Sequence, residues 1–140
     1  MEFKKIKYSE KKGVQLEYID NNNIFTVQSF DKPDPELYNS LQALSGYVLS
    51  VCELPEDYLG RIETTGIALS RCEDKSSVTI IATMDLLKMD KRKLNLITPH
   101  IEYSGMKTQP AIEHIIKQAQ SFLDGKREQV DLFDGEKKDE

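Results

Sequence analysis

The stretch "GVQLEYIDNNNIFTVQSFDKPDPELYNSLQAL", residues 13–44, contains two hydrophobic periods in succession, and the change between them decides the fold. Val14, Leu16 and Tyr18 alternate with polar neighbours, which is the period of two of a half-buried strand. "IFTVQSF", 24–30, is again β-branched and aromatic, and the Asn run at 21–23 lies between the two. Asn tolerates the positive φ of a tight turn, so the pair reads as a β-hairpin. After Phe30 the period becomes helical. Asp34 suits an N-cap and Pro35 the first helical position, and Leu37, Leu41, Leu44 and Val48 then recur along one face. One helix is expected from about Pro35 to Cys52, stopping before Pro55.

Upstream, "EFKKIKY" supplies a third strand ahead of the hairpin. Downstream, "GRIETTGIALS" (60–70), "SVTIIATMDL" (77–86) and "KLNLITPH" (93–100) are strand-like, with "RCEDKSS" and "KMDKRK" as the polar turns of an antiparallel meander. Gly66 inside the first of these marks a bulge or a close approach. "TQPAIEHIIKQAQSFLDG", 108–125, is a second helix. Thr108 is its expected cap, Gly125 its stop, and Ile112, Ile115, Ala119, Phe122 and Leu123 its apolar face. The order β-β-β-α-β-β-β-α is that of an α+β fold, an antiparallel sheet of five to six strands with two helices on one face. The globular domain spans 1–125. Residues 126–140 hold four Lys or Arg, six Asp or Glu and three apolar residues. They are expected to form a flexible charged tail, because so little apolar surface cannot offset the entropy of ordering.

With 140 residues, 39% of them hydrophobic, the chain can bury a core without staples. A net charge of −5 disfavours a general grip on phosphate backbone, which needs clustered Lys and Arg. Two cysteines without metal or secreted-domain spacing suit a reducing cytosol, so a cytoplasmic location is expected. No apolar run approaches the roughly 20 residues of a membrane span, and no apolar segment follows the basic N-terminus as in a signal peptide.

An enzyme is not expected. His100 stands at a strand end without a nucleophile or carboxylate at a recognisable spacing, and His114 sits at the boundary of an amphipathic helix. Cys52, Cys72, His100 and His114 are residue types that zinc accepts, yet no two of them form a close ligand pair, so neither metal nor cofactor is expected. "TTGIALS" lacks the glycines and the Gly-Lys of a phosphate loop. Lys4, Lys5, Lys7, Lys11 and Lys12 cluster near the N-terminus with Phe3 and Tyr8 interleaved. This basic-plus-aromatic pattern suits single-stranded nucleic acid. The plainer reading is an edge strand guarded by Lys.

The tail contains "QVDLF", 129–133. A highly charged segment has no folding reason to keep a Leu-Phe pair, unless the pair folds back on the domain or enters a partner. The pentapeptide resembles the linear motif by which bacterial replication and repair proteins dock on the sliding clamp, and Gln129, Val130, Asp131, Leu132 and Phe133 match it at every place. The resemblance implies that Leu132 and Phe133 enter the clamp's apolar pocket, that Gln129 hydrogen-bonds at the other end of the groove, and that Val130 adds minor contacts. "SFDKPDPELYNSLQAL", "LPEDYLGRIETTGIALS", "LNLITPH" and the "DGKREQVDLF" ending are similar to small phage and prophage proteins from replication and recombination gene modules. The similarity covers about residues 5–133 and departs at "HIEYSGMKTQP", where a longer acidic segment is expected. It implies a setting: an accessory protein docked on the clamp, recruited to or interfering with replication, and touching DNA only indirectly. The alternatives are a module for single-stranded nucleic acid and an inhibitor of a host defence protein.

Overall fold

The computed structural model describes residues 1–72, 75–103 and 107–128. Three strands open the chain: β1 (Glu2–Ser9), β2 (Gly13–Asp20) and β3 (Asn23–Ser29). β2 and β3 are joined by Asn21 and Asn22 at φ +50° and +65°, the left-handed pair of a two-residue hairpin turn that the Asn run predicts. Gly13 begins β2 at φ +74°, and a Cβ there would lie 2.2 Å from the Ser29 carbonyl oxygen, so only glycine fits.

Helix α1 (Pro35–Gln42) follows, capped by Asp34, whose carboxylate accepts the Glu36 N–H at 2.9 Å. The single helix expected to Cys52 is interrupted. Ala43 and Leu44 form a tighter turn, with the Leu44 N–H bonded to the Leu41 carbonyl, before α2 (Ser45–Val51). A 3-10 turn, Glu56–Arg61, which the sequence pattern missed, leads into β4 (Ile62–Cys72). β5 (Lys75–Asp85), β6 (Lys93–Ile97), the short β7 (Ile101–Glu102) and α3 (Gln109–Leu123) complete the chain. "RCEDKSS" is mostly strand: Ser70–Ser77, Arg71–Ser76 and Cys72–Lys75 all pair, because β4 and β5 extend towards their turn. Thr108 stands at the N-cap of α3 without a capping bond, and its hydroxyl is buried without a hydrogen-bond partner.

The sheet runs β3-β2-β1-β4-β5-β6, with β7 pairing β5 beyond the end of β6. The α+β expectation therefore holds, with seven strands and a divided first helix. All three helices add to one core. Ile6, Val14, Leu16, Ile67, Val78 and Ile80 from the sheet pack with Leu37, Leu41, Leu44, Val48, Ile112 and Ile115, all fully buried. The opposite sheet face carries Lys5, Lys7, Gln15, Glu17, Thr65, Thr83 and Asn95 at the alternate strand positions.

Two meanders meet where β1 pairs β4 over three residue pairs: Lys5–Ala68, Ile6–Ile67 and Lys7–Gly66. A bulge lies in β4 between Thr64 and Gly66. At Gly66 the strands come so close that a Cβ would sit 2.6 Å from the Ile6 carbonyl oxygen. Beyond that point β1 turns away and leaves Thr64 without a strand partner on that side. The Gln42 side-chain amide takes its place. Its Nε2 donates to the Thr64 carbonyl at 2.8 Å, and its Oε1 accepts the Thr64 N–H at 3.1 Å. The Ser45 and Thr64 hydroxyls share a buried 2.8 Å bond beside it. Helix α1 ends at the residue that makes this graft.

Removing the amide leaves two backbone groups at a part-buried site without partners. Gln42→Ala should cost about 1–3 kcal/mol of stability, the usual penalty for an unmade buried hydrogen bond. Gly66→Ala should cost a similar ~1–3 kcal/mol through overpacking against the Ile6 carbonyl. Urea unfolding monitored by circular dichroism measures both, and a loss under ~0.5 kcal/mol at either position, the scale of a surface substitution, would contradict the role given to it.

Candidate functional site

The sequence motif Gln129–Phe133 lies outside the described residues, but the segment that launches it does not. Helix α3 closes on Gly125 at φ +105°. The Gly125 N–H bonds the Phe122 carbonyl at 3.0 Å and the Lys126 N–H bonds the Ser121 carbonyl at 2.9 Å, the paired bonds of a Schellman stop. Residues 126–128, assigned by composition to the tail, then run along loop 31–34. Lys Nζ of residue 126 lies 3.4 Å from Asp34. The Arg127 guanidinium stacks 3.7 Å over the Phe122 ring, donates to the Phe122 carbonyl at 2.8 Å, and reaches Asp31 at 3.1 Å. The Glu128 N–H donates to the Lys32 carbonyl at 2.9 Å. The chain therefore leaves the body at a fixed place, and Gln129 follows without a spacer.

That exit opens onto a trough of about 1060 Å³ that runs from the start of α1 onto the uncovered face of the sheet. The end of β1 and its turn, residues 32–34 with the first turns of α1, the middle of β4 and β5, and β6 contribute to its lining. Lys7, Lys11, Lys12, Lys32, Lys91 and Lys93 line it, together with the carboxylates of Glu10, Asp34, Glu63 and Glu128. Lys93 pairs with Asp85 at 3.7 Å. The other five lysines make no ion pair among the described residues. Partial burial lowers the pKa of Lys7, and the positive charges of Lys5 and Lys12 lower it further. Burial raises that of Tyr8, with Glu10 and Glu128 adding to the shift.

The N-terminal lysines divide. Lys4 occupies a bulge in β1 and bridges Glu2 at 3.4 Å, whereas Lys5 and Lys7 lie on the uncovered face. Phe3 is buried in the core and Tyr8 packs against it, so the basic and aromatic interleaving is the alternation of a strand. That strand is central, flanked by β2 and β4, and is not the guarded edge its lysines suggested. Sequence reasoning missed the trough. Its lysines come from three separate segments, 7–12, 32 and 91–93, and only the β1–β4 pairing brings them together. The "KMDKRK" run is the one legible sign of its far rim.

His100 has hydroxyl partners that its spacing did not reveal. Its Nδ1 lies 3.3 Å from Thr79 Oγ1 and 3.5 Å from both Ser70 and Ser77, which bond each other at 2.7 Å. No carboxylate hydrogen-bonds the ring among the described residues, so the arrangement lacks the third group that orients a catalytic base. His114 Nε2 meets Glu36 at 3.4 Å across the surface of α3 and α1. Cys52 is half-buried at the end of α2, and Cys72 closes β4. Among the described residues no three His, Cys, Asp or Glu side chains gather to hold a metal, and no helix is long and apolar enough to cross a membrane. Comparison with protein families, with curated proteins and with solved structures finds no match to this chain.

Asp34 joins the cap of α1 to the root of the tail. The Glu36 backbone N–H holds its carboxyl below the ordinary 3.8; burial opposes this, and Lys126 adds to the lowering. A depressed folded-state pKa contributes stability above the unfolded value and loses it as pH falls through the folded value. Asp34→Ala should therefore cost about 1 kcal/mol at neutral pH, as other cap removals do. The gap from wild type should close below pH 3.8. Thermal melts of both proteins across the acid range test this, and a gap that widens on acidification would refute the assignment.

Proposed function

We propose that this chain is a non-enzymatic accessory protein of phage type that docks on the bacterial sliding clamp through Gln129–Phe133, bringing its α+β domain to replicating DNA or displacing other clamp clients. The observation that carries the reading is the pentapeptide itself, set directly after an anchored residue. A Leu and a Phe side chain each contribute roughly 1.5–3 kcal/mol when fully buried. Ordering a short peptide subtracts from that sum, which leaves a micromolar affinity. The absence of a spacer adds a geometric consequence. Five extended residues span at most roughly 17 Å, so Phe133 in its pocket holds Glu128 and the trough beside it within that distance of the clamp. The domain would ride against the clamp surface rather than on a long tether.

Calorimetry of the full chain against purified bacterial clamp tests the proposal. Leu132→Ala with Phe133→Ala should remove most of the binding, because the pair supplies the desolvated area. Gln129→Ala should cost about 0.5–1.5 kcal/mol, one net hydrogen bond. Asp131→Ala should cost least, as a solvated carboxylate. The melting temperature should stay unchanged in all of them. No heat and no competition at ~100 μM, where even weak docking registers, would sink the clamp reading. A lowered melting temperature in the double variant would instead place Phe133 in the domain's own core.

A further inference from the structure

The trough has a charge imbalance that the fold does not use. Of its four carboxylates, Asp34 is already paired with Lys126, which leaves Glu10, Glu63 and Glu128 facing five lysines without an ion-pair partner among the described residues. Like charges held together cost free energy unless an anion relieves them; the pKa of Lys7 is lowered first by its partial burial and then by the charges of Lys5 and Lys12. The net charge of −5 does not cancel the local field, because screening confines each charge to about 10 Å at ordinary ionic strength.

The rest of the lining fits a particular anion. The trough crosses β1, β4, β5 and β6, so at a strand spacing of about 4.8 Å it is roughly 15 Å wide. Its floor offers Thr65, Thr83 and Asn95, neutral groups that can hydrogen-bond bases or sugars. Tyr38 on its rim is 42% exposed, and the Tyr8 ring steadies it edge-on at 6.5 Å. Ile97, 66% exposed, adds an apolar surface on the opposite side. A track of cations beside an exposed aromatic ring is how proteins hold single strands: phosphates follow the cations and a base stacks on the ring. A duplex keeps its bases paired and stacked inside its two backbones, so it cannot offer one to the ring without the energetic cost of flipping it out.

We infer that this trough binds single-stranded nucleic acid, with Lys12, Lys32 and Lys91 contacting the phosphate backbone and Tyr38 stacking a base. The inference is independent of the clamp proposal, because it uses no residue beyond Glu128. Its test is fluorescence anisotropy of 5′-labelled 15-nucleotide dT and rU strands and a blunt duplex, titrated with the full chain. Saturable micromolar binding to a single strand is expected at ~50 mM salt, weaker by about fifteenfold at ~200 mM, since about three phosphate contacts give a logarithmic salt slope near −2. The ratio of dT to rU affinity identifies which nucleic acid is preferred. Lys12→Glu/Lys32→Glu/Lys91→Glu, all at exposed positions, should weaken binding at least tenfold. The control Lys75→Glu/Lys107→Glu/Lys117→Glu makes the same change in net charge outside the trough and should stay within about twofold. Tyr38→Ala should lower affinity severalfold without changing the salt slope. Circular dichroism melts confirm that each variant folds. The inference is overturned by no saturable binding at ~100 μM protein in low salt, by equal loss in both triple variants, or by a duplex bound as well as the single strands. Binding that appears only when the chain is cut after Glu128 also overturns it, in favour of the acidic residues 129–140 as the occupant.

Discussion

Three residue pairs between β1 and β4 turn two separate meanders into one sheet. The chain has no local reason to form them. β1 and β4 are more than fifty residues apart, and the loop-closure entropy of joining them has to be offset by what the junction buries. Ile6 and Ile67 provide that, facing each other across the junction with no exposed surface. Gly66 permits it, because any side chain there would strike the Ile6 carbonyl. Where β1 turns away, the Gln42 amide takes over as a strand substitute on Thr64 and ties the first helix to the sheet at the point where the sheet would otherwise have a bare edge.

This junction also sets the two faces of the domain. With β1 central, the alternate residues of both meanders share one plane. The inner set meets three helices and closes the core, while the outer set has no helix on it. Helix α3 packs on α1, and its Schellman stop delivers Arg127 and Glu128 to loop 31–34. The exit of the charged C-terminal segment and the Lys-lined trough are therefore neighbours for a structural reason. Loop 31–34 holds the first and lines the second.

Electrostatics within the domain are local. A protein of net charge −5 still gathers six lysines along one trough, because the strands, turns and loop that carry them are neighbours only in the folded domain. Bulk charge describes how the whole molecule meets a distant polyanion. A cleft a few ångströms from a phosphate is governed by the charges that line it. The N-terminal lysines show the same distinction. Lys4 is taken up by Glu2, and Lys7 faces the trough, although the two are three residues apart.

Local signals were legible in the sequence because their physics is local. The Asn pair that needs positive φ, the Asp34 cap, the Gly125 stop and the change from period two to period 3.6 each act over a few residues, and each stands where the pattern placed it. Gly66 was legible as a bulge or a close approach and is both. The division of the first helix was not legible, since the residue that ends α1, Gln42, answers to Thr64, twenty-two residues away. Thr108 looked like a cap by residue type, yet its backbone conformation leaves the hydroxyl unbonded. The QVDLF pentapeptide is a purely sequential signal, readable without any fold. The trough is the opposite case: no spacing in the sequence relates Lys12 to Lys32 or Lys91. Periodicity, capping and linear motifs belong to the sequence because they depend on neighbours along the chain. Strand order, the Gln42 graft and the gathering of lysines belong to the tertiary structure because they depend on which distant strands bury their apolar faces together.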